Sequence, residues 1–296
     1  MKILLLGSQG QVGQELLTTL PSVGEVTAWS RHDLDLSQSE QIGPAILAQQ
    51  PDVIVNAAAY TAVDKAEQEP ELAHQINGNA PGQLAQAAQT CGATLIHIST
   101  DYVFDGQQNQ PYQPTTPTQP LGVYGQSKLA GELAIQAACD RHIILRTAWV
   151  YGAKGHGNFV KTMLRVGAER DTVKVVYDQV GCPTWSHDIA QAIAQLIPHL
   201  GPSTFGTYHF TNSGAISWYD FAMAIFEEAA ALGWPLQIET VLPITTDQYP
   251  LPAKRPAYSV LGTEKLRTLL QQTPPYWRVS LRKMLQELMA TDRQAS

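Results

Sequence analysis

The sequence predicts an α/β fold, a doubly wound parallel sheet followed by a second, smaller C-terminal domain. Three observations carry this prediction. Short apolar runs alternate with longer Ala- and Leu-rich segments up to Val150, the cluster "GSQGQVG" sits at the first junction of the two kinds, and the alternation loosens after Val150. Alternating strands and helices build parallel sheets covered on both faces, whose strands read as unbroken apolar runs. With 296 residues, 44% of them hydrophobic, the chain can bury two cores. The expected division is 1–150 and 151–296, with a return to the first unit around 172–212.

In chain order, residues 3–6 read as the first strand and 12–20 as the first helix. Strands at 26–29, 53–56, 94–98 and 143–146 follow, separated by helices at 41–50, 71–89 and 121–139. Residues 106–120, "GQQNQPYQPTTPTQP", are punctuated by Pro111, Pro114, Pro117 and Pro120 and form no regular element. A loop this long in a compact domain is more often a lid or substrate loop than a tether. Beyond Val150 the reading gives helices at 158–169, 186–196, 217–232 and 279–289, and strands at 172–177 and 208–211. Pro243, Pro250, Pro252 and Pro256 separate the last two helices.

Composition excludes several function classes. A formal net charge of −7 with no basic block argues against a nucleic-acid groove. Cys91, Cys139 and Cys182 are widely spaced with no CxxC pair, so neither a disulfide scaffold nor a thiolate metal site is expected, and a reducing, cytoplasmic setting fits. The apolar start "MKILLLG" stops at Gly7, too early for a signal peptide, and no stretch reaches a membrane span.

Gly7, Gly10 and Gly13 fall at the first strand-to-helix turn. There glycine allows a tight turn, close approach to a pyrophosphate and close packing of helix on strand, with the helix N-terminus facing the phosphates. This makes the sheet Rossmann-type and points to a nicotinamide dinucleotide. The second strand runs into Ser30 and Arg31, with Asp33 and Asp35 beyond. An arginine accommodates the 2′-phosphate of NADP and a carboxylate binds the 2′-hydroxyl of NAD. Arg31 at the strand end favours NADPH, and Asp33 keeps NADH open.

Tyr124 and Lys128 in "VYGQSKLAGE" lie one helical turn apart on one face. A nearby ammonium favours the phenolate, so the pair can move a proton in hydride chemistry. The fourth strand ends in Ser99, Thr100 and Asp101, where an open parallel sheet places its site. Because no strong helix is expected directly afterwards, the Thr100 hydroxyl reads as a donor to a carbonyl or alkoxide oxygen rather than as a cap.

Over essentially its full length the sequence resembles the dTDP-4-dehydrorhamnose reductases, extended short-chain dehydrogenases of dTDP-L-rhamnose synthesis. The matching strings are "GSQGQVG", "PDVIVNAAAYTAVDKAEQEPELA", "STDYVFDG", "VYGQSKLAGE", "LRTAWVYG", "NFVKTML", "DQVGCPTW" and "KRPAYSVL". The resemblance implies a smaller C-terminal substrate domain and reduction of the C4 ketone of dTDP-4-dehydro-β-L-rhamnose by NADPH or NADH. It implies Thr100, Tyr124 and Lys128 as catalytic residues. Gly10, Gln11, Val12, Asp35, Leu36, Ala59, Tyr60, Thr61 and Ile98 would line the cofactor, and Thr100, Asp101 and Trp149 would meet the nucleotide sugar. Asn158 and Arg255 could hold its diphosphate, though a helix cap and a surface charge explain them equally well.

Some members of that family bind magnesium through glutamates at a dimer interface. Glu15 and Glu287 fall at matching places, but Ser186-His187-Asp188 stands where a further glutamate is expected, which counts against the metal and that dimer; a homodimer of another kind stays open. No metal is expected in the chemical step. A reductase of another dTDP-4-keto-6-deoxysugar is the nearest alternative. A non-catalytic subunit like the methionine adenosyltransferase beta subunit has no reason to keep all three catalytic residues. A dehydratase would carry an Asp-Glu pair where this chain has Thr100-Asp101-Tyr102.

Overall fold

The computed structural model describes residues 1–155 and 157–295, with side chains as far as Thr291. Its centre is a six-stranded sheet of β1 (Lys2–Leu6), β2 (Glu25–Trp29), β3 (Val53–Asn56), β4 (Thr94–Thr100), β5 (His142–Thr147) and a last strand, Gly206–His209. Every pairing in it is parallel, and across the sheet the strands run Gly206–His209, β5, β4, β3, β1, β2. The chain therefore reverses direction across the sheet between β1 and β3, and that switch point opens a crevice at the strands' carboxyl ends.

The buried strands have two apolar faces. On one, Ile3, Leu5, Val53, Val55, Ile143 and Leu145 pack against α1 (Gln11–Thr19) and α8 (Ser186–Leu196). On the other, Leu4, Leu6, Ile54, Leu95 and Ile144 pack against α2 (Ser39–Gln49), α5 (Ala80–Cys91) and α6 (Val123–Ala138). Neighbouring residues of one strand thus enter opposite cores, as the two-residue repeat of a strand requires.

A third core gathers α7 (Phe159–Glu169), α9 (Trp218–Ala231) and α11 (Trp277–Ala295) around Tyr151, Phe221 and Trp277. Beside it the strands Thr172–Val176 and Thr240–Ile244 pair in parallel. The remaining helices are short: α3 (Val63–Ala66), α4 (Pro70–His74) and α10 (Glu264–Leu270).

Three local expectations change. The helix expected over 71–89 is interrupted by a π turn, Gln75–Asn79, between α4 and α5. A 3₁₀ turn, Asp101–Val103, follows β4 directly, and Thr100 caps it by accepting from Tyr102 N at 3.2 Å, so the strand end is a cap as well as a candidate donor. The proline loop is pinned rather than loose. Tyr112 is buried against Phe104, its ring stacked at 4.2 Å, and its N–H donates to Val260 O.

Candidate active site

Gly7 leaves β1 with φ +78°, and a Cβ there would stand 2.6 Å from Ala58 N. A Cβ on Gly13 would fall 2.0 Å from the Gly7 carbonyl oxygen, so α1 approaches the strand end as only glycine permits. At Gly10 a Cβ would meet only Gly7 O, at 3.4 Å, which leaves the space over the loop open. The first turn of α1 carries no acidic residue and no side-chain cap, so its backbone N–H groups remain available to an anion. These features fit a dinucleotide pyrophosphate. Gln11 is tied back by Asn158, whose Nδ2 donates to Gln11 Oε1 at 2.9 Å, and Val12 packs on the first core.

At the end of β2, Asp33 folds back to accept from the N–H and Oγ of Ser30, both at 2.8 Å. These bonds hold its carboxyl below the usual range. Arg31 is 73% exposed and pairs with Asp35, its Nε donating to Oδ2 at 3.1 Å. Leu36 is buried in the second core. Ala59, Tyr60 and Thr61 continue the wall that Ala58 forms against Gly7. Asn77, from the π turn, accepts from Tyr60 N at 2.8 Å and donates to Tyr60 O at 2.9 Å and to Ser127 Oγ at 3.1 Å. One amide thereby clamps this wall to α6, a use typical of π-bulges.

The structure brings Thr100, Asp101 and Tyr124 together at the carboxyl end of β4. The Thr100 hydroxyl faces the Tyr124 phenol closely enough to favour its ionised form. Thr100 Oγ1 also donates to Asp101 Oδ1 at 3.1 Å, while Asp101 Oδ2 is buried without a partner. Burial raises the Asp101 carboxyl to about 6, against the lowering effect of Ser259 and Thr100. Tyr102 stacks edge-on against Tyr124 at 5.4 Å.

Lys128 lies on the same face of α6 but does not favour a phenolate in this state. Its Nζ donates to Ile98 O at 2.7 Å and sits 3.0 Å from His97 Nε2. Burial, with the charge of Asp101, pushes Tyr124 up to about 12, so the phenol keeps its proton at neutral pH.

The other expected substrate residues divide. Trp149 has φ +48°, rare for a residue with a side chain, and stacks on Trp218 at 3.5 Å and 7°. Asn158 caps α7 through Oδ1 and bonds Gln11 and Gly152 through Nδ2, so the geometry makes it a cap and a tether rather than a free diphosphate ligand. Arg255 is held by a bidentate bridge to Asp64, at 3.1 and 2.7 Å. That guanidinium is neutralised within the chain and is not a free surface charge.

Five residues here escaped the sequence reading: Asn56, Asn77, His97, Glu132 and Arg146. The last two form a buried ion pair at 2.6 Å between α6 and β5, and Ser99 Oγ donates into it at 2.5 Å. His97 carried a signal, a polar residue in the middle of the apolar run "TLIHIST". Asn77 carried none, because its role depends on the π turn.

The magnesium site implied by resemblance does not fit. The carboxylate of Glu15 is buried and already bonded to Lys154 at 3.0 Å and His187 at 3.3 Å, and Glu287 stands 4.0 Å from the same lysine. Lys154 supplies positive charge where a metal would, and His187 bonds the same Glu15 oxygen. Among the described residues no group of three or more His, Cys, Asp or Glu side chains is placed to hold a metal.

The family model described as the RmlD substrate binding domain matches residues 1–290. The chain is 45% identical to the dTDP-4-dehydrorhamnose reductase of Escherichia coli strain K12, over 98% of this chain and 99% of that one. Among solved structures, a dTDP-4-dehydrorhamnose reductase from Clostridium acetobutylicum superposes with a TM-score of 0.91 at 39% identity, covering 98% of this chain and 100% of the other. The Bacillus anthracis dTDP-4-dehydrorhamnose reductase in complex with NADP gives 0.90 at 36%, covering 97% and 99%.

Proposed function

The chain belongs to the dTDP-4-dehydrorhamnose reductase family, and from that premise we infer that it reduces the C4 ketone of dTDP-4-dehydro-β-L-rhamnose to dTDP-β-L-rhamnose with NADPH or NADH. The observation that carries the chemistry is the Thr100–Tyr124 hydroxyl pair at the carboxyl end of β4, beside the glycine crevice. The nicotinamide cofactor, when bound, contributes the reducing equivalent that the ketone carbon receives.

The residues of the chain do the rest. Gly7, Gly10 and Gly13 with the N-terminus of α1 hold the pyrophosphate, and Arg31 at the end of β2 favours the 2′-phosphate of NADPH. Tyr124, protonated at neutral pH, gives its proton to the ketone oxygen as charge develops there. Thr100, held in place by accepting from Tyr102 N, turns its one hydroxyl proton from Asp101 to that oxygen, opposite Tyr124. Lys128, one turn along α6 from Tyr124, is the cation that balances the phenolate left after transfer. Asp101, with an unmade hydrogen bond on Oδ2, and Trp149, held in a left-handed backbone, are the contacts for the sugar nucleotide. Residues 151–296 serve mainly as the substrate-binding part, with 172–212 returning partly to the sheet.

Localisation in the cytoplasm is supported by Cys91, Cys139 and Cys182 remaining free thiols, and no helix of the described residues is long and apolar enough to cross a membrane. A dTDP-sugar substrate needs no nucleic-acid or membrane partner, and a homodimer remains compatible with this reading.

The test is loss of NADPH absorbance with purified protein and a panel of dTDP-4-keto-6-deoxysugars. Turnover fastest with the rhamnose precursor is expected. No turnover with it, or faster turnover with another sugar of the panel, would reassign the substrate.

A further inference from the structure

We propose that His97, locked in one tautomer by Asn56, is a positioning residue that favours the uncharged amine of Lys128 in the cofactor-free enzyme. Asn56 ends β3 and is fully buried, and its Oδ1 accepts from Ala58 N at 3.1 Å. A backbone N–H can only donate, so the oxygen end of the amide is fixed there. The Nδ2 end therefore faces His97 Nδ1, at 3.0 Å. An amide N–H needs a lone pair, so Nδ1 carries no proton and the neutral ring carries its proton on Nε2. That N–H points at Lys128 Nζ, 3.0 Å away. Two donors cannot share a hydrogen bond, and the contact is made when Lys128 offers a lone pair. Its own N–H still reaches Ile98 O.

The surroundings agree with this assignment. His97 is 0% exposed, and burial above all holds it well below its usual range, which opposes a doubly protonated ring. Lys128 is 1% exposed, and burial lowers it to about 8 while Glu132 pulls the other way. Glu132, on the same helix, is itself paired with Arg146 of β5. Tyr124 shares the helix, and Asp101 and Tyr102 come from the turn after β4. α3 and α4 add Asp64, Lys65, Glu71 and His74; Asp64 is paired with Arg255 and Lys65 with Glu69. None of these replaces His97 as the group bonded to the amine.

Protonating Lys128 favours the other tautomer, in which Nδ1–H would face Asn56. Asn56 would then have to turn its NH₂ toward Ala58 N–H, and Ala58 forms the crevice wall against Gly7. The charge on Lys128 is thereby linked to the backbone that the cofactor meets. The functional consequence rests on the role of Lys128 beside Tyr124 proposed above, whereas the tautomer lock does not.

The test is ¹³C NMR titration of lysine Cε in the cofactor-free enzyme, with Lys128→Met identifying the signal. Wild type is expected to titrate near 8. In Asn56→Asp a carboxylate can accept from both Ala58 N–H and Nδ1–H, presenting a bare Nε2 to the lysine, and His97→Gln removes the obligate donor. Both should raise Lys128 by about one pH unit or more, toward the ordinary ~10.4. A wild-type Lys128 at the ordinary value, or no movement in either variant, overturns the proposal. Should both variants fail to fold, ¹⁵N spectra of wild-type His97 at pH 9.5 decide: a protonated Nε2 supports the lock and a protonated Nδ1 overturns it. The alkaline limb of kcat/KM should follow the NMR value in Asn56→Asp. A limb that stays while the NMR value moves removes Lys128 from the reaction and leaves the lock standing.

Discussion

The Asp101 carboxyl should make the enzyme less stable as pH rises from 4 to 7, and Asp101→Asn should abolish that decline. Asp101 is 2% exposed, one oxygen accepts from Thr100, and the other has no partner. Its value near 6, against 3.8 for the free side chain, means that the folded state binds the proton more tightly than the unfolded chain does. Stability on this account is complete below about pH 4 and falls as pH rises through about 6, by about 3 kcal/mol in total. An asparagine has no proton to lose. Asp101→Asn should match wild type near pH 4 and exceed it by about 1–3 kcal/mol at pH 7.5, while weakening substrate binding. Urea unfolding of both proteins at half-unit steps from pH 4 to 8 provides the assay. Two stability profiles running parallel across that range would mean that Asp101 titrates like an ordinary aspartate.

Other residues give sharper single outcomes. Glu132→Gln should cost about 3–5 kcal/mol in the same unfolding assay because it strands buried Arg146, whereas Glu169→Gln, at the exposed Arg165 pair, should cost less than about 1 kcal/mol. Gly13→Ala should lose NADPH binding, measured by nucleotide fluorescence, since its Cβ would meet backbone at 2.0 Å; unaltered affinity would remove α1 from the pyrophosphate site. Arg31→Ala should raise the KM for NADPH about tenfold and leave that for NADH nearly unchanged. Equal effects on both cofactors would show that Arg31 does not read the 2′-phosphate.

Most of the fold was legible because strand and helix periods are strong in the first half. The runs at 3–6, 53–56 and 143–146 each sit inside observed strands, and the helix expected over 186–196 matches α8 (Ser186–Leu196). Glycines at the first turn were readable for a similar reason, since backbone geometry restricts the residue type there. What stayed hidden depends on contacts distant in sequence. Thr100 caps a turn that the apolar "YVF" did not announce. Arg255 looked like a free cation until Asp64, far away in the chain, met it. The Tyr124–Lys128 spacing was visible, but not that His97 and Ile98 O occupy the lysine. Spacing along one helix places two side chains on a face and leaves open what the neighbouring strand presents to them.

The NAD(P)H-dependent reduction turns on proton transfer from Tyr124. Steady-state turnover of dTDP-4-dehydro-β-L-rhamnose by wild type and Tyr124→Phe, with NADPH affinity measured on the same preparations, tests it most directly. Tyr124→Phe is expected to lose about 10²–10⁴-fold in kcat with NADPH binding within about twofold of wild type. A Tyr124→Phe enzyme that turns over at the wild-type rate would contradict it.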